Sequence, residues 1–387
     1  MRAASLHGFG DLRVEQVPDP SPGPGEVLLA VACVQPSVTE AMLMAGEPVA
    51  THDTLVRRLA GGPVAFGGHE FCGVVAGAGP GVDEAVTGTS VTAVETAPCL
   101  DCRACRSGRL HQCPRPDVLG FTRAGAFAEL VVVPAATVVR VPEGVDDSAA
   151  AAVQPLAGAI HAHAAAAVAP GESVLVIGAG VMGLLAVQVA RRGNAGQLIV
   201  AARSPEKAAL AARFGADVVL TDGADVAARV RDLTDGVGVD VVVETAGGAA
   251  SAGLAGSSTV ATAADAVARG GRIVMVSVLP DDARLPLARL RERGVTLLHP
   301  RSGAGGYSPS STVFEQALRL VARGDVDLHA LVTHRFSGLD ALPAAVAVTR
   351  DKQAYGALGP AQVVLDGVWT GRPAGHGPAD APEVLAR

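Results

Sequence analysis

No stretch of this sequence is apolar for long enough to cross a bilayer as a helix. The most apolar run, Val174–Ala190, has 17 residues, contains Gln188 and is interrupted by Gly178-Ala179-Gly180, whereas a spanning helix needs about 20. A buried strand followed by a helix suits it better. The opening MRAASLHGFG lacks the apolar segment of a secretory signal, so a cytoplasmic protein with no membrane partner is expected. Lysine is nearly missing. It occurs only at Lys207 and Lys352, and arginine carries the remaining positive charge, which reads as a coding bias. The net charge of −7 leaves no overall basic field for nucleic acid or an acidic membrane surface. Disorder is excluded by 49% hydrophobic against 18% charged residues. Six cysteines in such a chain argue against a disulfide framework and for metal binding or core packing.

The 387 residues are too many for one ordinary domain and suit two. Residues 1–155 are rich in Gly, Pro, Val and Thr, with short runs such as Val27–Val31 and Leu130–Val133 between turn signals. They read as β-structure with long functional loops. Over residues 156–300 strands alternate with helices. Strands are predicted at Ser173–Ile177, Gln197–Ala201, Ala216–Leu220, Val239–Glu244, Arg272–Ser277 and Val295–His299. Helices are predicted at Val181–Arg192, Pro205–Phe214 and Ala261–Ala268. The fold class is therefore α/β, a β-rich domain joined to a doubly wound parallel sheet covered on both faces. Residues 301–365 look mixed, with a helix near Ser311–Ala322 and a last strand near Ala361–Leu365. Residues 366–387, rich in proline and glycine, read as a mobile tail.

Gly178-Ala179-Gly180-Val181-Met182-Gly183 follows the strand SVLVI and opens a helix. In that context a G-x-G-x-x-G motif binds a dinucleotide. Gly178 makes the tight turn, Gly180 lets the backbone approach the pyrophosphate, and Gly183 lets helix and strand pack closely. The helix N-terminus at Val181 and Met182 offers free N–H groups to the phosphates. NAD-binding units place an acid about 20 residues on, against the ribose 2′-hydroxyl. Here Ala202 stands at that place, 19 residues past Gly183, and Arg203, Ser204 and Lys207 follow. Cations and a hydroxyl suit a 2′-phosphate, so NADP(H) is favoured over NAD(H). The alternative is that Arg203 merely faces solvent and selectivity is slack.

Cys99-x2-Cys102-x2-Cys105-x7-Cys113 sets four thiols within 15 residues, in a lobe of about 97–115. Four thiolates close a tetrahedral site with no open position, so one structural Zn2+ is expected there and no catalysis. Iron–sulfur runs have other spacings. His111 inside the lobe reads as a surface residue.

These cysteines, with Gly68-His69-Glu70-Phe71-Cys72-Gly73 and the later GAGVMG, resemble the zinc-type alcohol dehydrogenases of the medium-chain dehydrogenase/reductase superfamily. Pro24-Gly25-Glu26-Val27-Leu28, Gly125-Ala126-Phe127-Ala128-Glu129 and Gln154-Pro155-Leu156-Ala157 support the resemblance, which covers about residues 1–365. It implies a GroES-like catalytic domain, an inserted Rossmann domain and a C-terminal return to the first. It also implies an active site in the cleft between the domains, a small-molecule substrate, and a homodimer or homotetramer.

The sequence departs from the family at its catalytic zinc. Counting from Glu26, the first ligand, a cysteine, falls on Ser37, in Ser37-Val38-Thr39-Glu40. The second, His69, is kept with Glu70 beside it, and the third falls on Gln154. Ser37, His69 and Gln154 are thus vestigial zinc positions, since a hydroxyl and an amide bring no charge against a divalent cation. A catalytic Zn2+ is doubtful. Cys33 lies too early to substitute and, like Cys72, reads as core. The relay histidine falls on Met42, while Thr39 keeps a relay hydroxyl. Without a Lewis acid, hydride transfer suits an acceptor that is already electrophilic. Thr39 would hydrogen-bond that acceptor, His69 would act as acid or base, and Glu40 and Glu70 would orient them. Other candidates carry little: His161 and His163, placed near a helix start, read as structural, and Tyr307 in the loop Gly305-Gly306-Tyr307 is a minor candidate for lining the cleft. The expectation is an NADP(H)-dependent oxidoreductase reducing an activated C=C, C=N or C=O without catalytic zinc. Its alternatives are a zinc-dependent alcohol or polyol dehydrogenase with an atypical site, and a non-redox protein on the same fold.

Overall fold

The computed structural model describes residues 1–221, 225–248, 255–279, 283–300 and 312–365. The chain opens with a hairpin of β1 (Arg2–Gly8) and β2 (Asp11–Gln16), followed by β3 (Glu26–Gln35). Glu26–Gln35 is almost uninterruptedly apolar because it is central in its sheet and packed on both sides. β4 (Glu70–Ala78), β5 (Ser90–Ala93), a small pair β6 (Thr96–Ala97) and β7 (Asp117–Val118), then β8 (Leu130–Pro134) and β9 (Val138–Arg140) complete the first region. β6 and β7 pair antiparallel and close the base of the loop that carries the four cysteines.

The helix Val153–Ala166 crosses the 155/156 position and leads into a second sheet. Its strands are β10 (Ser173–Ile177), β11 (Gln197–Ala201), β12 (Val218–Leu220), β13 (Val239–Glu244), β14 (Val267–Met275) and β15 (Thr296–Leu298). They lie all parallel in the order β12-β11-β10-β13-β14-β15. This is the doubly wound Rossmann order, whose crevice opens where the winding reverses, between β10 and β13. Alternation along β10 feeds two cores. Val174 and Val176 join Leu184, Leu185 and Val187 on one face, and Leu175 and Ile177 join Val230, Val260 and Ala263 on the other.

The predicted strands Ser173–Ile177, Gln197–Ala201 and Val239–Glu244 and the helix Val181–Arg192 have the observed bounds. The others shift by a few residues. The strand predicted at Arg272–Ser277 begins earlier, at Val267, because Gly270, with φ of +73°, and Gly271 form a break that the ladder with β13 steps over. The helix predicted at Ala261–Ala268 runs Ser258–Ala266 for the same reason, since its last two residues belong to that strand. His161 and His163 lie in the second half of Val153–Ala166, not near its start.

The chain then returns. After the helix Val313–Ala322 come β16 (Arg335–Ser337), the helix Leu342–Arg350 and β17 (Gln362–Val364). β17 pairs antiparallel with β3, Val363 opposite Val34 and Val364 opposite Cys33. The first sheet thus reads β16-β17-β3-β4-β5-β9, with β8 also on β3. Its core, around Leu29, Val31, Phe71 and Phe127, also takes in Leu342 and Val363 from the returning segment. Tyr307 and the segment 366–387 lie outside the described residues.

Candidate active site

The helix Val38–Met44 begins with a reciprocal capping pair. Ser37 Oγ accepts from the Glu40 amide at 3.1 Å, and Glu40 Oε2 accepts from the Ser37 amide at 2.8 Å. Serine stands where a thiolate was expected, and its hydroxyl is occupied in starting a helix. The other Glu40 oxygen, Oε1, accepts from the Gly68 amide at 2.7 Å and from His69 Nδ1 at 2.6 Å. Gly68 has φ of +87°, and a side chain there would strike the backbone of Ala126 and Phe127, so this approach requires glycine. Glu40 is wholly buried. Burial raises its carboxyl, but the charge and hydrogen bond of His69 and the amides outweigh it, and the net shift is downward. On His69, burial works against the charged ring. The charge and hydrogen bond of Glu40, with Glu70 and Glu95 behind, reverse that and hold it at about 9. The ring is therefore an imidazolium near neutrality, an acid more than a base.

His69 Nε2 stands 3.9 Å from Glu70 Oε1. The pairing of β3 with β4 puts Gln35 opposite Glu70, and Gln35 Nε2 donates to Glu70 Oε2 at 2.6 Å. Gln362 on β17 continues the chain, donating through Nε2 to Gln35 Oε1 at 3.0 Å and accepting through Oε1 from Ser148 Oγ at 2.6 Å. Burial pushes Glu70 up to about 7, against His69 and Gln35. Gln154 Nε2 donates to Glu95 Oε1 at 3.3 Å. The site therefore gathers Glu40, Glu70 and Glu95 around one imidazole. Phe121 walls it, its ring centroid 5.2 Å from that of His69, and the Phe121 carbonyl accepts from Arg58. Thr39 lies half-buried in the first turn beside Glu40, and among the described residues its hydroxyl makes no hydrogen bond.

Glu95, Gln35 and Gln362 were not foreseen from the sequence. Glu95 had a visible signal, a lone acid at the end of the apolar run Val91–Val94. The two glutamines had none, because only strand pairing across more than 300 residues joins them. Cys33 and Cys72 are core residues, fully buried and opposite each other on β3 and β4.

The four other cysteines converge. Their sulfurs all lie within 4.8 Å of one another, with Cys102–Cys105 at 3.4 Å, Cys99–Cys113 at 3.5 Å and Cys99–Cys105 at 4.0 Å. A tetrahedral zinc with bonds of ~2.3 Å needs edges of about 3.8 Å. Burial and the neighbouring thiols push Cys105 well up, so a cation is what would release its proton. Among the described residues this is the only cluster of three or more His, Cys, Asp or Glu able to hold a metal ion. His111 stays outside it, its ring 5.8 Å from that of His161.

In the second sheet's domain the glycine motif has the shape a dinucleotide needs. Gly178 turns with φ of +100°. A Cβ on Gly183 would sit 1.9 Å from the Gly178 carbonyl oxygen, so helix and turn touch only through glycine. A Cβ on Gly180 would meet nothing within 4 Å, which leaves open space in front of the backbone. No side chain caps the helix Val181–Arg192, so its first N–H groups remain available. Ala202, at the end of β11, is buried. Arg203 is exposed, Lys207 is half-buried, and Ser204 caps the helix Pro205–Arg213. Ser204 also donates to Glu206 at 2.6 Å, so one carboxylate does stand near these cations.

Residues 23–143 match the family model of the alcohol dehydrogenase GroES-like domain, and residues 180–323 that of the zinc-binding dehydrogenases. L-threonine 3-dehydrogenase of Pyrococcus furiosus is 31% identical over 328 residues, 84% of this chain and 88% of that protein. Sorbitol dehydrogenase of Halalkalibacterium halodurans is 30% identical, over 86% of this chain and 90% of its own length. A Sinorhizobium meliloti protein described as a zinc-binding dehydrogenase, solved bound to NADP, superposes with a TM-score of 0.79 at 28% identity, covering 94% and 98% of the two chains. No described helix is long and apolar enough to cross a membrane. Fold, glycine motif and relatives agree that the chain belongs to the zinc-type alcohol dehydrogenase family of the medium-chain dehydrogenase/reductase superfamily and is an NAD(P)-dependent oxidoreductase.

Proposed function

We propose that this chain uses NADP(H) to reduce an activated C=C, C=N or C=O bond of a small molecule, and does so without a catalytic zinc. The observation that carries this reading is the donor chemistry around His69. Ser37 spends its hydroxyl on the Glu40 amide, Gln154 gives its amide to Glu95, and His69 Nδ1 is bound by Glu40. A neutral hydroxyl and a neutral amide do not suit a tightly held divalent cation.

NADPH, when bound, supplies the hydride. The chain's residues do the rest. Ala202 leaves room for a 2′-phosphate and Arg203 and Lys207 offer it positive charge. Gly180 and the start of Val181–Arg192 receive the pyrophosphate. Glu40 keeps the His69 ring charged, so as hydride reaches the electrophilic carbon, Nε2 can hand a proton to the carbonyl oxygen or, for an enone, to the α-carbon. An iminium needs no such proton, and Glu40, Glu70 and Glu95 would stabilise its charge. Thr39 hydrogen-bonds the acceptor, and Glu70 orients His69. Cys99, Cys102, Cys105 and Cys113 hold one structural zinc, which staples the lobe and takes no part in the reaction. The protein works in the cytoplasm as a homodimer or homotetramer.

A metal count joined to turnover tests the reading. One zinc per chain, with NADPH oxidised by an enone or cyclic imine, is the expected outcome. Two zincs per chain and oxidation of alcohols or polyols would establish the second reading, favoured by the relatives named threonine and sorbitol dehydrogenases. Cofactor binding with no turnover on any such substrate would point to a non-redox role.

A further inference from the structure

The turn that follows the helix Leu342–Arg350 belongs to the returning segment, since the chain goes from it straight into β17 on the first sheet. Yet it lies against the cofactor domain. A Cβ on Gly359 would meet Val181 Cγ2 at 3.3 Å and the Leu331 carbonyl oxygen at 2.3 Å. Val181 is the first residue of the helix that the glycine motif opens. Side chains on this turn are therefore within reach of a bound dinucleotide.

Lys352 stands on that turn. Its stem is half-buried, and its ammonium donates to the Thr349 carbonyl at 2.8 Å. Among the described residues neither Lys352 nor Lys207 is joined in an ion pair. Of the 31 basic residues only these two are lysine, so 29 are arginine. Lys352 is held down to about 8, by burial first and then by repulsion from Lys207, with exposed Asp351 acting weakly the other way. Lys207 in turn is lowered by burial and by Arg203. The two half-buried ammonium groups, one on the returning segment and one on the cofactor domain, stand close enough for Lys207 to repel Lys352, as Arg203 repels Lys207. Like charges so placed repel until an anion comes between them.

We propose that Lys352 is a specificity residue for the cofactor, closing from the returning segment onto the 2′-phosphate that Arg203 and Lys207 hold from the cofactor domain. This rests on the NADP(H) reading above and adds a ligand from the other domain. A compact ammonium on a flexible stem can leave Thr349 for the phosphate, and the phosphate dianion favours its charged form. NADH, with a hydroxyl in that place, offers it nothing comparable.

The lysine count makes the test direct. An amine-acetylating reagent with peptide mass spectrometry reads Lys207 and Lys352 separately, in the free protein and with saturating NADPH or NADH. NADPH should protect both lysines several-fold more than NADH does. Lys352→Met should weaken NADPH binding about tenfold or more and leave NADH within about twofold, with Lys352→Arg in between. Protection of Lys207 without Lys352, or equal weakening of both cofactors in Lys352→Met, would overturn the role of Lys352 while leaving the NADP(H) reading intact. A wild-type protein that binds NADPH no tighter than NADH would overturn both.

Discussion

A single hydrogen bond, Glu40 Oε1 to His69 Nδ1 at 2.6 Å, organises the chemistry of the cleft. It fixes Nδ1 on Glu40 and leaves Nε2 on the side of Glu70, and it opposes the burial that would otherwise discharge the ring. The charge sign sets a pH dependence. The folded-state value of about 9 lies above the ordinary 6.5. The contribution of the pair to stability is therefore full below about 6.5 and is lost as pH rises through about 9. Glu70, raised from 4.5 to about 7, adds a decline of the same sign over that lower interval. Glu40→Gln removes the opposing charge, so His69 should lose its proton at lower pH. The alkaline fall in kcat/KM, expected near 9 in the parent, should move down with it, and the stability decline between 6.5 and 9 should flatten. A pH–rate profile with imidazole NMR and denaturation at several pH values checks this. An alkaline limb that stays in place would remove His69 from the proton path. Because the same carboxylate caps Val38–Met44, the variant should also lose about 1–3 kcal/mol at neutral pH.

At the scale of elements, the dinucleotide-binding turn depends on an atom that is missing. Gly183→Ala would place a methyl 1.9 Å from the Gly178 carbonyl and 2.9 Å from Thr245 Oγ1. The helix Val181–Arg192 would have to lift from β10, which costs about 1–3 kcal/mol and moves its N-terminus off the pyrophosphate. A drop in melting temperature together with a loss of NADPH binding is expected. Lost stability with unchanged cofactor affinity would mean the helix end is not the phosphate site. This turn was legible in the sequence because its determinants are local: strand, glycine spacing and helix follow one another within 20 residues. β10, β11 and β13 were legible for a related reason, since strands buried on both faces are apolar throughout. β14 was not, because the Gly270-Gly271 break divides one strand into two patterns. The polar chain from Glu70 through Gln35 to Gln362 was invisible for a different reason. Each glutamine looks solvent-facing until the pairing of β17 with β3 buries it. Lys352 was passed over likewise, because its neighbour Lys207 is brought to it by the fold. At the zinc positions the spacing pointed to weak ligands, Ser37 and Gln154, and the structure gives each a hydrogen-bond partner.

The whole molecule is built on separate cores, one under the first sheet and one on each face of the second, and the returning segment ties the first sheet to the chain's end. Among the described residues each sheet still has terminal strands. β15 ends the parallel sheet, with no described strand beyond it. In the segment between β14 and β15, Val278, Leu285 and Leu287 are exposed, Leu287 to 64%. An uncovered edge with apolar neighbours invites pairing with another chain. A twofold axis at β15 would join the edges of two copies into one continuous sheet. Sedimentation should then give a mass of two or four chains of 38.7 kDa. Leu287→Asp places a carboxylate among these exposed apolar residues, far from His69 and the glycine motif in sequence. It should raise the dimer dissociation constant by about tenfold or more while the isolated chain keeps its NADPH affinity. An assembly that withstands both Leu287→Asp and Leu285→Asp would place the subunit contact elsewhere, and a parent protein that sediments as one chain would remove the edge from consideration.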